Sequence, residues 1–209
     1  MLTTYELRWF YPGTIPQEVE LWFEQNCLIE PLQPPEERED LYLYSPTCDF
    51  LGIKLRQGRL EVKWRKAELG VGRFGEFVEG NTEKWGKWLC CDPTEESFQP
   101  NLVLDNASWV SVQKIRYSQL YQVFPEFPPQ PVVSKNEGID NGCTVELTHV
   151  IIQENAWWSL AFEAFGGEDT RLMENLQTTA SWVFKTYRGL KLLTLNSYAY
   201  PSWLALACG

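Results

Sequence analysis

Between Gly52 and Lys66 the chain reads GIKLRQGRLEVKWRK, and its bases fall on alternate residues. Lys54, Arg56, Lys63 and Arg65 lie on one side, with Ile53, Leu55, Leu60, Val62 and Trp64 on the other. Successive side chains of a strand point to opposite faces, so the stretch predicts a hairpin with one apolar and one cationic face. A two-residue turn at Gln57-Gly58 would set Leu55 opposite Leu60 and Lys54 opposite Glu61, keeping like with like; a four-residue turn also matches faces, and a three-residue one without a bulge does not. Ammonium and guanidinium groups spaced i, i+2 on neighbouring strands suit phosphate oxygens, which accept charge-assisted hydrogen bonds.

The same face gathers further charge. Arg8 in YELRWF and Lys114 and Arg116 in QKIRYSQ add bases, while Glu6, Glu61, Glu146 and Glu163 add acids. That is seven bases against four acids, in a protein of net charge −10 whose remaining residues hold 11 bases and 24 acids. A solvated sheet face alternates in this way too, its charges pairing across strands. Such a face has no need to oppose the sign of its surroundings. If the face points inward, its charges must be wet, paired or occupied by an anion, because an unpaired buried charge costs several kcal/mol.

Strands and helices must position these groups. TTYELRWFY predicts a first strand, followed by a helix carrying Val19, Trp22 and Phe23 as its apolar stripe. Thr14 and Gln17 form a capping-box pattern there, with Pro16 suited to the first turn. Prolines and charges make residues 30–40 a loop. DLYLYSP leads as a short strand into the hairpin, and GRFGEFVEGNTEKWGKWLC supplies a third element of it. SWVSVQKIRYSQLYQVF is a long strand, and a second proline- and glycine-rich loop runs from Phe124 to Gly142. CTVELTHVII and AWWSLAFEAFG form a further hairpin around Gln153 to Asn155. EDTRLMENLQTTASWVFKTYRG has Leu172, Leu176, Thr179 and Val183 at helical spacing, with Gly189 just beyond.

Composition closes off several classes of function. The 209 residues suffice for one domain with its own core, and the chain is read as a single domain over 1–209. An acidic balance argues against nucleic-acid and anionic-membrane partners, both of which need a positive field. No run of about 18 apolar residues crosses a membrane. The start MLTTYELRWF lacks the basic and apolar regions of a signal peptide, and six cysteines without a C-x-x-C pair read as free thiols, so a cytoplasmic location is expected. His149, the single histidine, falls on the face opposite Glu146, which argues against a catalytic or zinc-binding role. GVGRFG matches G-x-G-x-x-G without the strand–turn–helix setting of a dinucleotide site.

The order of these motifs resembles the CYTH superfamily, the triphosphate tunnel metalloenzymes. The resemblance spans most of the chain: YELRWF, then KLR with GRLEVKWRK, the basic QKIRYSQ, the glutamate-bearing VELTH and LAFEAF, a helix, and the closing NSYAYPSWLA. It implies an α+β fold, an antiparallel tunnel-like β-barrel with helices packed outside the sheet. It also implies that Arg8, Lys54, Arg56, Lys63, Arg65, Lys114 and Arg116 bind a phosphorylated small molecule or polyphosphate. Glu6, Glu146 and Glu163 would then serve as catalytic residues and as ligands of Mg²⁺ or Mn²⁺ in phosphoanhydride hydrolysis. The family's E-x-E-x-K motif is incomplete, however, with Arg8 at its second carboxylate position and Phe10 at its lysine position. Two alternatives remain: a phosphate-ligand-binding protein without turnover, and a lipocalin-like barrel with apolar faces inward carrying an apolar ligand.

Overall fold

The computed structural model describes residues 2–29, 34–90, 108–133 and 139–209. Cys91, residues 30–33 of the first expected loop and residues 134–138 of the second lie outside the described residues. The described residues form nine strands: β1 (Leu2–Pro12), β2 (Glu36–Leu43), β3 (Leu51–Arg56), β4 (Arg59–Phe74), β5 (Val78–Cys90), β6 (Trp109–Gln122), β7 (Gln130–Pro131), β8 (Gly142–Ile152) and β9 (Asn155–Phe165). They pair in the order β2-β3-β4-β5-β1-β9-β8-β6-β7, and β2 also pairs with β6. That last pairing joins the ends of an eight-strand antiparallel sheet, closing it into a barrel and leaving two-residue β7 as an appendage of β6. The fold is therefore α+β, an antiparallel barrel with three α-helices outside it among the described residues.

Turn chemistry fixes the register of the two tightest hairpins. Gln57 and Gly58 take φ of 48° and 73°, the doubly left-handed geometry of a two-residue turn. Leu55 then faces Leu60 and Lys54 faces Glu61, as the alternation of the sequence requires. Gln153 and Glu154 turn β8 into β9 with φ of 47° and 65°. Since side-chain period is two, these registers place every charged residue of the alternating stretches on one face.

That face points into the barrel; the apolar face points out and is covered. Leu7, Trp9, Leu147, Leu160 and Phe162 face outward and pack on α1 (Gln17–Asn26) and α2 (Asp169–Val183) through Val19, Phe23, Leu172 and Leu176. The main core thus lies between sheet and helices, outside the barrel. Gly80 of β5 lets Trp9 lie flat against the strand, since a Cβ there would come within 2.6 Å of its ring. A third helix, α3 (Tyr200–Cys208), lies across one end of the barrel. There Trp203 and Leu204 pack on the inward-facing Phe10, Tyr42, Val112, Val150 and Ile152.

Three local expectations differ from the structure. Residues 36–40, expected as loop, form the start of β2 and pair with β6 from Glu36↔Arg116 to Leu43↔Trp109. The capping box at Thr14 and Gln17 does not form; the Pro16 carbonyl accepts from the amides of Val19 and Glu20 instead. The second long helix stops at Val183 and tightens into a 3-10 turn at Phe184–Thr186, so Lys185 and Arg188 fall beyond the α-helix. The GVGRFG motif is the extended end of β4 and the turn after it, with no helix following.

Candidate functional site

The barrel encloses a cavity of about 500 Å³. β1 contributes Glu6 and Arg8 to its wall, β3 Lys54 and Arg56, β4 Glu61 and Lys63, and β6 Lys114 and Arg116. Glu146 of β8 and Glu163 of β9 complete the set of expected residues. Each reaches the lumen for the same reason: it occupies the inward alternate position of its strand, whose other face is covered by helices on β1, β8 and β9 and half-buried on β3 and β4. Arg65 shares the parity but not the cavity. It is drawn to Asp49 at 2.7 Å, Glu83 at 2.9 Å and Glu68 at 3.3 Å. His149, on the other face, does not line the cavity.

Three further charges line the lumen that the sequence reading did not place there, Glu36 and Arg38 of β2 and Lys87 of β5, with Asp40 of β2 buried behind them. The alternation Glu36, Arg38, Asp40, Tyr42 was present, but the flanking prolines and the acids between them masked a strand. Lys87 alternates in the same way with Glu83 and Trp85. Tyr200 was also missed; its ring enters the lumen from α3. Counting these, eight bases and five glutamates line the cavity, with the fully buried Asp40 behind them.

Asp40 is the hub of the basic side. It accepts from Arg56 Nε at 2.8 Å and Nη2 at 3.0 Å and from Lys114 Nζ at 2.8 Å, and stands 3.8 Å from Lys54 and 3.6 Å from Arg38. Burial would raise its pKa, but Lys114, Arg56 and Lys54 outweigh burial and hold the carboxyl far below its ordinary range. One carboxylate cannot satisfy so many cations. Burial, with too little compensating negative charge, pushes the ammonium of Lys114 down to about 7. Lys54 also falls to about 7, first by burial and then by repulsion from Lys114. Lys114 further donates to the Tyr42 hydroxyl at 2.7 Å and sits 4.0 Å from the centre of the Tyr200 ring.

The acidic side is tied just as closely. Glu6 of β1 and Glu163 of β9 stand directly opposite each other in register. Lys63 bridges them, bonded to Glu6 and 3.5 Å from Glu163. Burial works against its charge, yet the two glutamates raise the pKa of Lys63 above the ordinary lysine value. Glu146 lies between Arg116 at 2.5 Å and Arg8 at 3.5 Å; against its burial, these two and their neighbours lower it to about 2. Glu61 is lowered to about 2 despite burial by Lys54 at 2.5 Å, Lys87 at 2.8 Å and Arg56 at 3.9 Å.

This donor set does not fit Mg²⁺ or Mn²⁺. Among the described residues, no group of three or more His, Cys, Asp or Glu is placed to hold a metal. Glu6, Glu146 and Glu163 are each engaged by lysine or arginine, and Arg8 stands 3.5 Å from Glu146 on the same wall. Two unit charges ~4 Å apart repel by about 4 kcal/mol at an effective dielectric near 20, and a divalent ion doubles that. An ion at Glu6 and Glu163 would have to displace the Lys63 ammonium. The arrangement suits anions better. Nε of Arg116 is buried without a hydrogen-bond acceptor, a donor a phosphate oxygen would satisfy.

The lipocalin-like orientation is overturned by the same geometry: apolar faces of β1, β8 and β9 lie under α1 and α2, and the charged faces point inward. Among the described residues, no helix is long and apolar enough to cross a membrane.

No protein-family model matches the chain, and no curated protein matches it. Among solved structures it is similar to the PH1819 protein from Pyrococcus horikoshii OT3, at 15% identity and TM-score 0.45, over 98% of each chain. It is also similar to a "putative adenylate cyclase" from Bacillus halodurans, at 9% identity and TM-score 0.40, over 90% of this chain and 95% of that one. Both scores fall below 0.5, so what the lumen does has to be judged from its own side chains.

Proposed function

We propose that the lumen binds a phosphorylated small molecule or a polyphosphate, as a binding protein without turnover. The convergence of Arg8, Arg38, Lys54, Arg56, Lys63, Lys87, Lys114 and Arg116 on one cavity carries this reading. An entering phosphate would take over hydrogen bonds that the lumen carboxylates now accept, so bases held in place by internal pairs are already oriented for it. The CYTH-like order of basic and acidic strand motifs supports the same ligand class. Hydrolysis is not favoured, since Glu6, Glu146 and Glu163 are committed to cationic side chains.

Thermal unfolding with tripolyphosphate, and separately with oleate, tests the proposal. Tripolyphosphate should raise the midpoint by several degrees in a concentration-dependent way, since a ligand that binds only the folded state stabilises it. Arg116→Gln should abolish that shift. Stabilisation by oleate instead would sink the anion reading. Release of phosphate from tripolyphosphate in the presence of Mn²⁺, lost in Glu6→Gln, would make the protein a hydrolase.

A further inference from the structure

The lumen contains a cation of its own where a metal ion would have to sit. Glu6 and Glu163 face each other across β1 and β9, an arrangement of two carboxylates that is stabilised by a positive charge or a shared proton between them. Lys63 of β4 supplies the charge, with its ammonium in contact with Glu6 and 3.5 Å from Glu163. Lys63 itself lines the cavity, so the ammonium reaches the pair from the lumen wall. The Thr4 hydroxyl donates to Glu6 at 2.7 Å, taking up another lone pair of that carboxylate. The third candidate ligand, Glu146, is turned towards Arg116 and Arg8.

We infer that the ammonium of Lys63 replaces a divalent metal at the Glu6–Glu163 pair, and that phosphorylated ligands bind this lumen with no metal ion. The inference rests on the anion-binding reading of the cavity. Lys63 is thereby a specificity residue: it balances the acids of the pair, a task that would otherwise fall to a metal ion. The identity of two other residues points the same way, because Arg8 and Phe10 replace a carboxylate and a lysine of the motif on the same strand. A divalent ion there would meet Arg8 in addition to Lys63.

Two measurements decide it. The first uses Mn²⁺ alone, followed by its electron paramagnetic resonance signal as protein is added. Wild type should leave the free-ion signal unchanged at millimolar Mn²⁺, whereas Lys63→Met should bind one equivalent saturably. Saturable binding by wild type, lost in Glu163→Gln, overturns the inference, as does a folded Lys63→Met that gains no site. The wild-type titration decides the matter even if that variant fails to fold. The second is the tripolyphosphate melting shift in EDTA, expected to persist there at full size. A shift seen only with Mn²⁺ overturns the inference while leaving the anion tunnel intact. No shift under either condition sinks the tunnel, and the Mn²⁺ titration, which contains no phosphate, still decides the role of Lys63.

Discussion

Asp40 shows how one side chain can organise many. With four cations within 4 Å and no exposure, its removal would leave Lys114 and Arg56 buried without their main counter-charge. Removing one partner of a buried pair typically costs about 3–5 kcal/mol. Asp40→Ala is therefore expected to lower stability by that order, measured by urea unfolding, more than alanine at the exposed Glu39. Lys54 and Lys114 set a pH dependence of definite sign. Both are depressed to about 7 in the folded protein against 10.5 unfolded, so between those values the unfolded chain binds more protons. Stability should thus rise from pH 7 towards pH 10 on their account, and Lys114→Met should flatten that rise. The opposite edge belongs to Glu36, Glu61 and Glu146, lowered to about 2. Their contribution, full above pH 4.5, is lost as pH falls from there towards 2. Charged lysines favour anions, so tripolyphosphate should bind more tightly at pH 6 than at pH 9 by calorimetry.

Elements differ in how plainly the sequence announced them. The continuation of β4 to Phe74 through two register shifts was not legible, but over the alternating stretch β3 and β4 were, because the period of two fixes which residues share a face. So were β8 and β9. β2 was legible only in its second half, through DLYLYSP; in its first half the lumen side is Glu36, Arg38 and Asp40, so no apolar face marks it, and prolines precede it. Only closure against β6, a contact distant in sequence, makes those residues a strand. α3 was also obscure. Its window is apolar on all sides rather than on one stripe, with Pro201 in its first turn as the one local signal. The helix explains Phe10, whose ring stacks on Trp203 at 4.7 Å and 10° and meets Tyr200 edge-on at 5.1 Å. A lysine at that position would put an ammonium under an aromatic lid. Trp203→Ala should cost about 3–5 kcal/mol in a denaturant titration, as deletion of a fully buried large aromatic does.

At the scale of the whole molecule, the protein is acidic while its lumen carries more bases than acids. On the proposed function, the acidic exterior opposes approach of the anion that the lumen would hold once inside. Added salt should screen the exterior over about 8–10 Å. Association of tripolyphosphate, followed by stopped-flow tryptophan fluorescence, should therefore slow less with salt than for a protein whose surface attracts its ligand, or even quicken. The charge inventory that points to this behaviour was visible in the sequence. Its internal balance was not, because which lysine meets which glutamate depends on strand tilt and closure.

α3 across one end of the barrel gives the bore a floor. Under the proposed function, a polyanion could not be threaded past that floor. It would have to be dipped in by its tip, so that such a chain would be read at its terminus and not along its middle.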